Sequence, residues 1–169
     1  TYGNGNHDTI VAMIDTGIDY THEDLKDTLW VNTDEIPGNG IDDDGNGYVD
    51  DVYGWNFYNN NNQIFTGKED SHGTHGAGTI SAGTGNGIGI AGIVPGNRVR
   101  VMALKALGGT DGGGSTAAVI KAVRYAEDNG AVICNLSLTS TVDDKALYEA
   151  MKNSSMLFVV AAGNGNPKT

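Results

Sequence analysis

An α/β fold, with a doubly wound, mostly parallel sheet and helices on both faces, is what this sequence predicts. Three observations carry that prediction. Short apolar runs rich in β-branched residues recur along the chain, helical patterns separate the later runs, and glycines gather where the chain must turn. The runs TIVAMI (9–14), VRVMAL (99–104), AVICNLS (131–137) and MLFVVAA (156–162) read as buried parallel strands. Strands covered on both faces lose the apolar–polar alternation of a half-exposed sheet.

The connecting elements follow in order. Between the second and third runs, STAAVIKAVRYAEDNG predicts a helix, with Ser115 as N-cap and Gly130 as its C-terminal stop. Between the third and fourth, VDDKALYEAMKNSS predicts another. Asp143 and Asp144 stand where the helix dipole favours negative charge, and Leu147, Ala150, Met151 and Ser154 share one small-to-apolar face. The small residues of SHGTHGAGTIS predict a helix packed very close to a neighbour, with His72 at its start. Residues 30–70, rich in Asn, Asp and Gly, predict an inserted surface loop region rather than a second domain.

Composition narrows the function classes. A 169-residue chain with 38% hydrophobic residues is long enough for one domain with a core, or for part of a larger one. No run reaches the roughly 18 apolar residues of a membrane helix. The polar opening TYGNGNHDT shows no signal segment, so any such segment is expected to have been removed. A net charge of −11 argues against nucleic acid and anionic membrane as partners, and its concentration in one loop suits a bound cation. The lone Cys134 reads as a buried free thiol and leaves the redox compartment open.

In an open α/β sheet, ligands gather at the carboxyl ends of the strands. Asp15 follows the first run, Ser137 ends the third and Asn164 follows the fourth, so three polar residues converge on one edge. Asp15 and His72 are the right types for a carboxylate that orients an imidazole base. Alone, Asp15-Thr16-Gly17 also fits a strand-end cap. It fits as well the turn of aspartic proteases, which requires a second copy and an all-β setting. His72 and His75 admit a zinc reading, although the H-E-x-x-H pattern is absent. Gly87 to Gly92 matches GxGxxG but neither follows a strand nor opens a helix, so it is discounted as a dinucleotide site.

A cation site is more specific. Asp42, Asp44, Asn46, Tyr48 (through its carbonyl) and Asp50, with Gly47 at the sixth position, follow the ligand spacing of an EF-hand loop. Tyr53 replaces the final bidentate Glu, and no flanking helices are evident. The expected cofactor is Ca²⁺, and the competing reading is a solvated acidic turn.

DTGID, HGTHGAGTISA, GIGIAG and VVAAGN, in that order, resemble the subtilisin-like serine proteases over nearly the whole chain. The resemblance implies that Asp15 holds the histidine, that His72 is general base and acid, and that Asn164 donates to the oxyanion. It implies that Ser137, Leu138 and Thr139 on one side, and Gly112, Gly113 and Gly114 on the other, grip an extended peptide or protein substrate. It also implies a calcium site of Asp24, Asn86 and the carbonyls of Thr84, Ile88 and Ile90, and a secreted or cell-surface setting. Three departures stand out. Gly76 replaces an apolar residue and is expected to loosen helix packing, Thr139 is expected to narrow the primary specificity pocket, and no G-T-S-x-A segment carries a nucleophile.

The leading expectation is therefore the N-terminal part, residues 1–169, of a calcium-dependent serine endopeptidase, inactive by itself. A serine-less pseudoprotease that binds peptides or a partner, and a calcium-stabilised structural unit, are the alternatives. Either the missing C-terminal part or a self-association partner is expected to cover the open sheet.

Overall fold

The computed structural model describes residues 9–95 and 98–165. In chain order it contains β1 (Thr9–Asp15), β2 (Gly54–Asn56), α1 (Ser71–Ser81), β3 (Val99–Lys105), the short β4 (Leu107–Gly108) and β5 (Gly113–Gly114), α2 (Thr116–Asp128), β6 (Ile133–Leu136), α3 (Lys145–Lys152) and β7 (Leu157–Val160). Five strands form one sheet in the order β2-β3-β1-β6-β7, with every pair parallel. The predicted doubly wound sheet is present.

Side-chain alternation along β1 splits the core in two. Ala12 and Ile14 join Met102, Leu104 and the buried face of α2, whereas Met13 joins Val101, Ala103 and Ala77 of α1. Helices thus cover both faces of the sheet. Ser115 caps α2 as the sequence predicts, its Oγ accepting from Ala118 N–H. Asp144, expected only as a favourable charge at the helix start, caps α3 through Oδ1, which accepts from Ala146 and Leu147 N–H. Capping of this kind is worth about 1 kcal/mol per helix. Leu147, Ala150, Met151 and Ser154 are the half-buried residues of the α3 face.

Two expectations need correction. The run 156–162 is not a buried strand: β7 is shorter and lies at the sheet edge, with Leu157 63% and Val159 50% exposed. Nothing pairs with its outer side among the described residues, so apolar composition is not matched by burial there. Residues 30–70 are not merely a surface loop either. They contribute β2, which pairs with β3, and they bury Trp55, Phe57 and Ile64. The Tyr48 ring anchors the segment, meeting Trp55, Phe57 and Tyr125 edge-on with centroids 5.1, 5.7 and 5.0 Å apart. Asp51, fully buried, accepts from the Tyr125 hydroxyl (2.5 Å) and from Asn32 and Asn46 side chains, which ties the loop to α2.

Candidate active site

The site begins where β1 ends. Asp15 is 1% exposed, and its Oδ1 accepts from the backbone N–H of Thr16 and from His72 Nδ1, each at 2.7 Å. An ionised carboxylate only accepts, so the proton of the neutral ring sits on Nδ1 and the Nε2 lone pair is free. Asp15 Oδ2 is buried and takes no hydrogen bond from a protein group among the described residues. The imidazole itself is open to solvent, with 61% of its side chain exposed.

His72 reaches Asp15 because α1 starts against the turn that follows β1. A Cβ on Gly73 would lie 2.2 Å from the Gly17 carbonyl oxygen, so this approach requires glycine. Gly73 N–H also donates to Thr16 Oγ1 (3.1 Å). The His-Gly pair of the sequence is thus one device, a base and the missing side chain that lets it come close.

His72 faces a groove of about 1080 Å³ along the carboxyl edge of the sheet. Gly112, Gly113 and Gly114 line one wall, Ser137, Leu138 and Thr139 the other, and Asn164 stands at its end. The first wall is a small hairpin in which Gly108 pairs with Gly113 and Leu107 with Gly114. Thr139 faces Gly163, its Cγ2 3.5 Å from where a Cβ on that glycine would be. Every residue placed in the cleft by resemblance therefore borders one groove, apart from Asp15, which lies beneath His72.

The described residues bring His72 and His75 into no cluster of three metal-ligating side chains, so the zinc reading gains nothing. The acidic loop brings Asp42, Asp44 and Glu35 together, with ligand atoms within 4.8 Å of one another. Glu35 escaped the sequence reading, because it lies outside the EF-hand spacing and joins only when the loop folds back. Asp50 does not join. Its carboxylate accepts from the N–H groups of Gly38, Asn39 and Gly40, which turns it away from the predicted ninth position. Asn46 donates to Asp44 and Asp51, and the Tyr48 N–H to Asn46 Oδ1. No Lys or Arg among the described residues pairs with this cluster, and three uncompensated carboxylates with hard oxygen donors fit Ca²⁺.

Two residues of the second predicted cation site, Asp24 and Asn86, lie in hydrogen-bond contact. Residues 83–90 wrap Asp24, whose carboxylate accepts from Asn86 Nδ2 (2.8 Å) and Ile90 N–H (3.1 Å). The Asn86 hydrogen bond, ahead of the Ile90 contact, holds the Asp24 carboxyl below the usual range despite its burial. Thr84 and Ile88 lie on the same loop, and Ile88 N–H donates to Asn86 Oδ1.

Comparison with known proteins matches the model of the Subtilase family over residues 6–169. The chain is 36% identical to subtilisin-like protease 1 of Plasmodium berghei over 161 residues, covering 92% of this chain and 26% of that protein. It is also 36% identical to the major intracellular serine protease of Bacillus subtilis (91% and 42% covered). With thermitase of Thermoactinomyces vulgaris the identity is 32% (91% and 47% covered). Among solved structures, a lanthipeptide protease superposes with a TM-score of 0.55 at 26% identity, covering 88% of this chain and 34% of that one. The chain thus spans less than half the length of each of these relatives.

Proposed function

This chain belongs to the subtilase family, and on that footing we propose that it supplies the base, its orienting carboxylate and an oxyanion donor to a serine endopeptidase. The observation that carries this reading is the 2.7 Å bond from His72 Nδ1 to the buried Asp15, at the mouth of the glycine-walled groove. A serine hydroxyl attacks the scissile carbonyl while His72 Nε2 takes its proton. The imidazolium formed is stabilised by Asp15 and returns the proton to the leaving amine. Asn164 donates its side-chain N–H to the developing oxyanion, a contact worth roughly 3–4 kcal/mol where such donors have been removed. Water, deprotonated by His72, then hydrolyses the acyl-enzyme.

The substrate is an extended peptide or protein segment. Main-chain groups of Gly112–Gly114 and Ser137–Thr139 add strand-like hydrogen bonds to it from both walls. No serine of these 169 residues stands in a nucleophile's sequence context, so the hydroxyl comes from a further segment, which also covers the apolar edge at β7. A fluorophosphonate probe tests the assignment. Labelling is expected for the protein that joins these residues to a serine segment, and none for the 169-residue chain. Labelling that survives His72→Ala undiminished would sink the proposal, and a serine-free native protein that still binds peptides would favour a pseudoprotease.

Calcium is proposed at the two oxygen-rich loops. Asp42, Asp44 and Glu35 would hold one ion and Asp24 with Asn86 another, and its contribution there is charge neutralisation and loop order rather than chemistry. No helix among the described residues is long and apolar enough to cross a membrane. An extracellular setting suits calcium loops. Cys134 is compatible with it, since burial pushes its thiol up to about 12 and keeps it inert to oxidation.

A further inference from the structure

Lys105 ends β3 beside Asp15, its register partner on β1, and is only 1% exposed. Its ammonium donates to the Thr16 carbonyl oxygen and to Asp70 Oδ1, the latter at 2.6 Å. Asp70 is fully buried, and its other oxygen accepts from the Thr66 backbone N–H (2.5 Å) and hydroxyl (3.0 Å). The two acceptors of Lys105 lie on the two segments that carry the proposed acid–base pair. Thr16 follows Asp15, and Asp70 stands two residues before His72. None of these groups takes part in the proton transfers above. A buried ion pair is also weak evidence for a role in stability, since apolar residues of similar volume often replace one without loss.

We infer that Lys105 is a positioning residue for the Asp15–His72 pair. By tying the turn after β1 to the turn that opens α1, it sets the separation of carboxylate and imidazole. By neutralising Asp70 it also leaves Asp15 as the single buried negative charge facing the ring. The inference rests on the reading of Asp15 and His72 as that pair. The other ionisable groups around His72, namely Lys68, Glu69, Asp111 and Asp144, border the groove from its solvent side.

NMR on the 169-residue chain, labelled with ¹⁵N at lysine and histidine, tests it without measuring hydrolysis. As the His72 ring titrates, the Lys105 Nζ resonance is expected to move with the same midpoint. A flat Lys105 signal beside a titrating His72 overturns the proposal. The downfield resonance expected of a His72 Nδ1 proton bonded to Asp15 reports separately on that bond, so failure of the pair itself remains distinguishable. The variant Asp70→Leu/Lys105→Met removes both charges together and leaves no lone buried ion. It is expected to fold but to lose the downfield Nδ1 proton resonance, and to lower kcat about 10- to 100-fold at little-changed KM when a serine segment is supplied. A folded double variant that keeps both the resonance and kcat overturns the inference. If the variant does not fold, the titration of the unsubstituted chain decides.

Discussion

The terminal methyl of Met13 occupies the space that a side chain at position 76 would need: a Cβ on Gly76 would lie 2.2 Å from Met13 Cε. The glycine therefore does not loosen α1, contrary to the expectation from the sequence. A long β1 side chain crosses into the gap, 1% exposed, with its sulfur accepting from Asn135 Nδ2 at 3.2 Å. Gly76→Val overpacks this contact and is expected to cost about 1–3 kcal/mol. Met13→Val alone leaves a void and costs a similar amount. The pair together should recover at least about 1 kcal/mol relative to the sum. Urea unfolding of the four proteins measures the coupling, and strict additivity would show that Met13 does not fill the gap.

Asp15→Asn keeps the shape of the buried group and removes its charge. An amide offers His72 either a donor or an uncharged acceptor, so the tautomer with a free Nε2 loses its preference and the imidazolium loses its partner. With a serine segment supplied, kcat on a peptide substrate is expected to fall on the order of 10⁴-fold. KM should change little, because Asp15 lies beneath His72 and not in the groove. A loss confined to KM would mean that Asp15 shapes substrate binding instead.

Much of this site was legible before the structure because strand-end geometry is a topological rule. Asp15, Ser137 and Asn164 follow three strands of one parallel sheet, and the rule places them on one edge whatever their neighbours are. Ser115 was legible as a cap, and Asp144 as a favourable charge at a helix start, because both effects are local. What escaped depends on long-range packing. β2 has three residues in an Asn-rich segment and exists only because β3 offers an edge. Glu35 joins Asp42 through a folded-back loop, and Lys105 stands one residue past the predicted run 99–104, with no local sign that Asp70 waits across the fold. The exposure of β7 was misread for the opposite reason: its composition is that of a strand with neighbours on both sides, and the described residues provide only β6.

Calcium at the acidic loop should be visible as linked stability. Free Ca²⁺ at about 100 times Kd adds about 2.7 kcal/mol, and chelation removes it with a lower Tm. Glu35→Gln separates the clustered carboxylates from the EF-hand spacing, because Glu35 lies outside the motif. It is expected to weaken the calcium dependence of Tm, whereas Asp50→Asn, whose carboxylate binds the 38–40 turn, is expected to lower Tm equally with and without calcium. Equal calcium dependence in Glu35→Gln and the parent would remove Glu35 from the site.

Cys134 gives the fold an alkaline limit. It lies on β6 in the core, and burial raises its thiol from the ordinary value of 9.0 to about 12. A raised folded-state value favours the folded protein fully below pH 9. Above that, the unfolded chain releases the proton while the folded chain retains it, so stability falls by about 1.4 kcal/mol per pH unit until the folded thiol ionises near 12. The phenols of Tyr48 and Tyr125 are raised too, each chiefly by burial, and add to the loss only once unfolded tyrosine ionises near pH 10. Between pH 9 and 10 the slope therefore belongs mainly to the thiol. Cys134→Ala should lower stability at pH 8 through the cavity it leaves, yet flatten the pH dependence across that window. Urea unfolding midpoints of both proteins at pH 8, 9 and 10 measure it. Parallel curves would mean that the thiol ionises no differently in the core than in water.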